Sequence, residues 1–187
     1  MNTKFLEKIT DYNGSQLRSG WVTQQTGLMP DALVTFTGGC DIRPEFMVDL
    51  EDLKAGHKIF SQKMLHFIGE FADHDLEKAI LRQRLLITQI QQHLLQDCPS
   101  LNLFRTGNDL YEKENFKITI SVATTSPTSS LFHTGINIDS RKTPVPTKGL
   151  DDFKIDPKVF AEKILTSYRD EIASIHRDFS KVKRVPY

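Results

Sequence analysis

The chain has 187 residues, with 24 Lys plus Arg against 24 Asp plus Glu, 39% hydrophobic and 26% charged. That length can bury one sizeable core, and that composition excludes wholesale disorder. The zero net charge argues against nucleic acid, and no run nears the roughly 20 apolar residues of a membrane-spanning helix.

The first third reads as strands and turns. Residues 5–9 (FLEKI) form a short strand candidate, 11–16 a turn with Asn13-Gly14 at its tip, and 16–22 (QLRSGWV) a second strand. After a turn at Pro30-Asp31, ALVTF is a β-rich run ending in the loop TGGCDIRPE, and MVDL is a brief strand. From Glu51 the period changes. Leu53, Ile59, Phe60, Met64, Phe67, Ile68 and Phe71 recur mostly at three- and four-residue steps, which predicts one amphipathic helix to about residue 71. A second helix is expected from Leu76 to Leu95, capped by Asp75, closed before Pro99, and buried along Leu76, Ile80, Leu81, Leu85, Ile87, Ile90 and Leu94. LNLFRT, NDLYEK, FKITISVAT and SLFHTGINI follow as strands, with a polar hairpin turn at 112–115. Residues 141–157 carry three prolines and no period, so they form a loop. A C-terminal helix over 156–180 starts at an Asp156 cap with Pro157 in its first turn. It turns Val159, Phe160, Ile164, Leu165, Tyr168, Ile172 and Ile175 inward, and 181–187 is a frayed basic tail. The expected class is α+β: a mixed or antiparallel sheet covered by helices, one domain over 1–187.

Cys40 and Cys98 form no CxxC pair and no metal-ligand spacing, and their rarity fits a reducing cytosol. The N-terminal MNTKFLEKIT is not of signal-peptide kind, so a cytoplasmic protein is expected, monomeric or a small oligomer such as a homodimer.

Lys117 interrupts a strand otherwise apolar at Phe116, Ile118, Ile120 and Val122. By alternation Lys117, Thr119 and Ser121 share a polar face. It is either a pocket wall, where a compact cation meets negative charge, or a solvated edge that discourages aggregation. His133, between Phe132 and Thr134, either positions a ligand or is a core histidine bonded to backbone. Gly38-Gly39 either lets amides approach a phosphate or carboxylate or makes a tight turn. Cys40 reads as a small buried thiol ahead of a nucleophile, since no neighbour in sequence would lower its pKa. Asp41 and Asp49 are weak Mg²⁺ candidates, while Glu51 and Asp52 suit a helix's first turn. Trp21 reads as core. His57 and His66 are placed on opposite sides of the 51–71 helix and are not a metal pair.

The order of elements resembles the catalytic domain of the biotin/lipoate protein ligase and lipoyl transferase group, which shares a fold with class II aminoacyl-tRNA synthetases. Lipoate ligases read roughly N-D-x-x-x-x-x-x-K-I-S-G-x-A, then L-H-H-G-x-x-L-x-x-D. Here Asn108-Asp109, Lys117-Ile118, Ser121 and Ala123 stand close to the first segment, and Leu131 to Asp139 to the second. Thr37 to Asp41 occupies the place of the R-R-x-S-G-G-G-A loop. Two glycines stand for three, no double arginine precedes them, and His133 is single. A second resemblance is to a family of archaeal and bacterial proteins of unknown function. It rests on Gly14 to Trp21, Gly38 to Asp41, Met47 to Asp52, Met64 to Glu70 and the H-x-G-I-N-I strand at His133.

The resemblance implies a pocket with Lys117 and His133 in catalytic roles and Gly38, Gly39, Asp41 and Ser121 holding a cofactor. Its ligand would be a small carboxylate- or nucleotide-bearing molecule. ATP and Mg²⁺ would enter only if the chain forms acyl-adenylates. The rivals are a non-catalytic binder on the same fold and a partner-binding subunit whose basic tail SKVKRVPY meets an acidic protein or RNA.

Overall fold

The computed structural model describes residues 1–113 and 115–185. Its centre is a five-stranded mixed sheet in the order β1 (Asn2–Phe5), β2 (Ala32–Asp41), β3 (Phe60–Phe71), β8 (Ser130–Asp139) and β7 (Thr119–Thr125). β1 runs parallel to β2, and the other neighbours are antiparallel. A second antiparallel sheet holds β4 (Leu103–Thr106), β5 (Asp109–Glu112) and β6 (Phe116–Lys117). The helices are α1 (Trp21–Thr26), α2 (Leu50–Ala55), α3 (Leu76–Asp97) and α4 (Pro157–Lys181), with a 3₁₀ turn at Pro44–Phe46. The α+β class with a mixed, helix-covered sheet is as expected.

The alternation of each strand divides the core in two. Leu33, Leu65, Phe67, Phe71, Phe132, Ile136 and Ile138 face α3 and α4 and pack on Leu86, Ile90, Leu94, Phe160, Ile164 and Tyr168. Ala32, Val34, Phe36, Met64, Ile68 and Leu131 face the other way, against Tyr12, Leu17, Trp21 and Val22. Among the described residues no long helix covers that second face. Its cover is the 10–26 segment, which includes α1, and the 42–59 connection, whose short α2 buries no residue.

The largest departure from expectation is β3. The span read as one helix from 51 to 71 is instead α2, a turn and a twelve-residue strand. A strand buried on both faces is apolar at both parities, so its three- and four-residue coincidences imitate a helical stripe. The 16–22 strand is replaced by a turn and the start of α1, and MVDL by irregular chain ending in the Asp49 cap of α2. The first part of the loop expected at 37–45, through Asp41, instead continues β2. The strand read at 5–9 lies earlier, at Asn2–Phe5.

α3 matches its predicted range and Asp75 cap, but it is rotated. Ala79, Gln83, Leu86, Ile87, Gln89, Ile90 and Leu94 are buried, while Leu76 and Leu81 are exposed. α4 keeps its Asp156 cap, with Val159 and Ile175 outside the buried stripe. Of the predicted turn at 112–115 and tail at 181–187, Glu114, Pro186 and Tyr187 lie outside the described residues. Among the described residues no helix is long and apolar enough to cross a membrane.

Candidate functional site

The second sheet face carries a chain of rings. Antiparallel pairing sets His66 opposite Gly135 and Ile68 opposite His133, so both imidazoles stand on the same face of adjacent strands. A Cβ at Gly135 would come within 2.8 Å of Met64 Cε, the movable end of a flexible side chain, so glycine eases the packing beside the rings. His66 Nε2 lies 3.3 Å from the Gly38 carbonyl oxygen, and His66 Nδ1 lies 3.0 Å from His133 Nε2. Tyr12 stacks on His133 with ring centroids 3.8 Å apart, and Phe36 lies on His66. Burial lowers the pKa of His66 to about 4, and burial followed by the neighbouring imidazole lowers that of His133 well below its ordinary value. Both rings are therefore neutral at pH 7. Burial likewise raises Tyr12 far above a free phenol and Cys40 to about 12, so the thiol is inert near neutrality.

Four adjoining cavities surround the 41–61 segment on this face. The central pocket, about 300 Å³, is walled by Ile59, Phe60, Met64, Ile120 and Val145, with Lys117, Lys58, Asp52, His57, Thr119 and Asn137 among its polar groups. A narrow annex of about 30 Å³ shares Asp52, Ile59 and Ile120 with it and reaches Tyr12 and His133. A groove of about 330 Å³ lies along Asp11, Tyr12, Gly39 and Asp41, and another of about 380 Å³ beneath Asp41, Arg43 and Leu53.

Lys117 reaches the central pocket because the chain leaves the small sheet there. β6 ends at Lys117, and Ile118 crosses to the main sheet, where β7 begins. That crossing breaks the expected alternation. Ile118 is fully buried on the helix side, and Ile120 faces the opposite core. The Lys117 ammonium lies 2.7 Å from Asp109 Oδ2, with 26% of its side chain exposed. Asp109 is the partner that sequence reading left without a role. Burial raises its carboxyl, Lys117 opposes that, and Asp52 and Asp49 push it further up.

The remaining expected site residues are distributed around this region. Thr119 and Ser121 are buried, not wet. Thr119 Oγ1 accepts from the Leu110 amide. The Ser121 hydroxyl donates to the Asn108 carbonyl and accepts from the Gln83 amide nitrogen. Ser121 therefore ties β7 to α3 with its hydroxyl turned from the annex. Gly38 is glycine because a side chain would run into the Thr10 carbonyl. The Gly39 amide donates to Asp11 Oδ1 at 2.8 Å. Those amides do not fit a phosphate as they stand, since a carboxylate already occupies the approach. Asp41 is exposed, and Asp49 caps α2 by accepting from the Glu51 and Asp52 amides. Among the described residues no group of three His, Cys, Asp or Glu is placed to hold a metal. His57 is exposed and 2.9 Å from Asp52, whereas His66 is fully buried, so the two are not on one helix. Trp21 is core, as expected.

His66, Tyr12 and Asp109 are the residues that sequence reading missed. A double-parity apolar run flanked by Asp52 and Asp73 could have been tested as a strand, which would have set His66 on the face of Ile68.

A protein of unknown function from Pyrococcus horikoshi is 34% identical in sequence, with a TM-score of 0.90 over 98% of this chain and 100% of its own. The biotin protein ligase of Aquifex aeolicus, solved with biotin and ATP, is 16% identical, with a TM-score of 0.57 over 90% of this chain and 69% of its own. A bipartite lipoate protein ligase from Thermoplasma acidophilum is 13% identical, with a TM-score of 0.56 over 91% and 84%. At such identities the ligases share the fold alone. No curated protein matches the chain. A family model described as a domain of unknown function, DUF366, matches residues 1–183, and the chain belongs to that family, built on the fold of the biotin and lipoate ligases.

Proposed function

We propose that the protein binds a small molecule with an apolar body and a carboxylate, held in the central pocket with the carboxylate on Lys117. The observation that carries this reading is the position of Lys117: a half-buried ammonium at the wall of a pocket of about 300 Å³ whose apolar wall is Ile59, Phe60, Met64, Ile120 and Val145. An ammonium has three donors, and the Asp109 pair takes one. Asn137 and Thr119 lie in the same wall. The volume is at the small end of ligand sites, which suits a molecule of modest size. The ligases of the same fold include one solved with biotin and ATP, which supports a carboxylate ligand by analogy of fold.

A ligand screen by thermal shift with octanoate, lipoate, biotin and nucleotides, followed by calorimetry, tests this. Lys117→Ala is expected to abolish carboxylate binding and leave the melting temperature within a few degrees. The small stability change follows because Asp109, with its raised carboxyl, can take a proton in place of its lost partner. Undiminished binding by the variant would sink the assignment.

The second reading is a ligase or acyltransferase that activates the carboxylate as an adenylate, supported by the fold. The Gly38-Gly39 amides give it no phosphate cradle, and Asp41 and Asp49 give it no built Mg²⁺ site, so no nucleotide step is derived from them. Exchange of labelled pyrophosphate into ATP in the presence of a bound acid decides between enzyme and binder.

A further inference from the structure

The hydrogen-bond chain on the second sheet face has one direction. It ends at the Gly38 carbonyl, which can only accept, so His66 Nε2 carries the proton of that ring. A neutral His66 then presents Nδ1 as a bare acceptor, and His133 Nε2, 3.0 Å away, must donate to it. Neutral His133 is thereby left with a bare Nδ1. That nitrogen is the ring's remaining polar atom, and His133 lines the annex. The opposite tautomers would set the His66 lone pair against the carbonyl oxygen. A flipped His133 ring would set Cε1–H in place of Nε2 and lose the 3.0 Å bond to His66, while Tyr12, stacked at 3.8 Å, holds the ring plane.

Of the other polar groups of the annex, the Tyr12 phenol can donate or accept, and the rest have the same sense as His133 Nδ1. Asp49 and Asp52 are carboxylates that accept, the first from two α2 amides and the second from His57. The Ser121 hydroxyl donates elsewhere. The annex has room for about one or two waters and adjoins the pocket that holds Lys117, with Asp52, Ile59 and Ile120 in both linings. Lys117 stands in the wall of the pocket and His133 in the wall of the annex, with Asp52 in both linings and Lys58 on the pocket side.

We propose that the annex is a subsite for a hydrogen-bond donor: a hydroxyl or amine at the far end of the ligand, received by His133 Nδ1, while the ligand's carboxylate meets Lys117. The inference rests on the carboxylate reading above. It assigns His133 as a positioning residue with acceptor character and excludes a second anion from that end.

Two measurements test it. Long-range ¹H–¹⁵N correlation on histidine-labelled wild-type protein should show Nε2 protonated and Nδ1 bare in both His66 and His133, with no ligand needed. A proton on His133 Nδ1 overturns the proposal whatever binds. Calorimetry then compares octanoate, 8-hydroxyoctanoate, 8-methoxyoctanoate and octanedioate. The hydroxy acid should bind about tenfold more tightly than its methyl ether, as one added hydrogen bond allows, with the diacid weakest. In His133→Phe, which keeps a ring against Tyr12, the difference should shrink to about twofold or less. If that variant does not fold, the wild-type comparison decides alone. Equal binding of the hydroxy acid and the ether overturns the subsite and leaves Lys117 standing. Binding of none of the acids removes the carboxylate reading and this proposal together.

Discussion

The two faces of the main sheet receive the same strands and do different things with them. The α3–α4 face is closed by two long helices and is mostly apolar, with the threonines Thr35, Thr119 and Thr134 buried in it and the Gln83–Ser121–Asn108 bonds crossing it. The other face is closed by irregular chain, contains Tyr12, His66 and His133, and borders all four cavities. Long helices pack continuous ridges onto a sheet and leave few voids. Short segments such as α2, which buries nothing, leave gaps at their ends, and polar groups can be kept there. The helix face therefore maintains the fold, and the loop face is where the cavities lie and where the proposed ligand would sit.

The largest effect should come from the helix face. Phe132→Ala removes a fully buried ring between the sheet and Tyr168 and is expected to cost about 3–5 kcal/mol by urea denaturation. A loss under about 1 kcal/mol would mean that this face is not the principal core.

Acid should next expose the loop face. Unfolded histidines titrate near pH 6.5, while folded His66 does so only at about 4 and folded His133 well below its ordinary value. Between those limits the unfolded chain binds protons that the folded chain refuses. Stability is thus complete above the unfolded value and falls as pH drops toward 4, by roughly 2 kcal/mol for His66 between pH 7 and 5, with His133 acting in the same direction. The raised carboxyl of Asp109 works in the opposite sense and offsets part of the loss. Denaturation curves across this range should slope accordingly, and a flat profile would contradict the neutral buried pair.

Ser121→Ala separates the faces on a single strand. It should cost about 1–2 kcal/mol through the lost bonds to Asn108 and Gln83 and change carboxylate affinity by no more than about twofold. A tenfold loss of affinity would restore the ligand role that family resemblance implies for it. The smallest effect is expected from Asp49→Ala, which removes the α2 cap and should cost about 1 kcal/mol. A metal-dependent stability that disappears in this variant would instead favour the Mg²⁺ reading of Asp49.

The same contrast explains what could be read in the sequence. Where a helix meets solvent on one side, as in α3 and α4, caps and spacing located it: Asp75 and Asp156 both cap as expected. The phase of α3 was less legible, because Gln83 and Gln89 are buried and Leu81 is not. β3 was misread because burial on both faces removes the alternation that marks a strand. Lys117 and His133 were visible as polar interruptions of apolar strands. Their partners were not, because Asp109, His66 and Tyr12 meet them through strand register and a chain crossing, which no local pattern encodes.

The most direct test of the account is ¹H–¹⁵N chemical-shift mapping of the assigned protein titrated with octanoate. The expected result is saturable shifts at Lys117, Thr119, Ile120 and Asn137, extending to Ile59, with α3 and α4 unmoved. Shifts concentrated on α3 and α4, or none at saturating acid, would contradict the placement of the site on the loop-covered face.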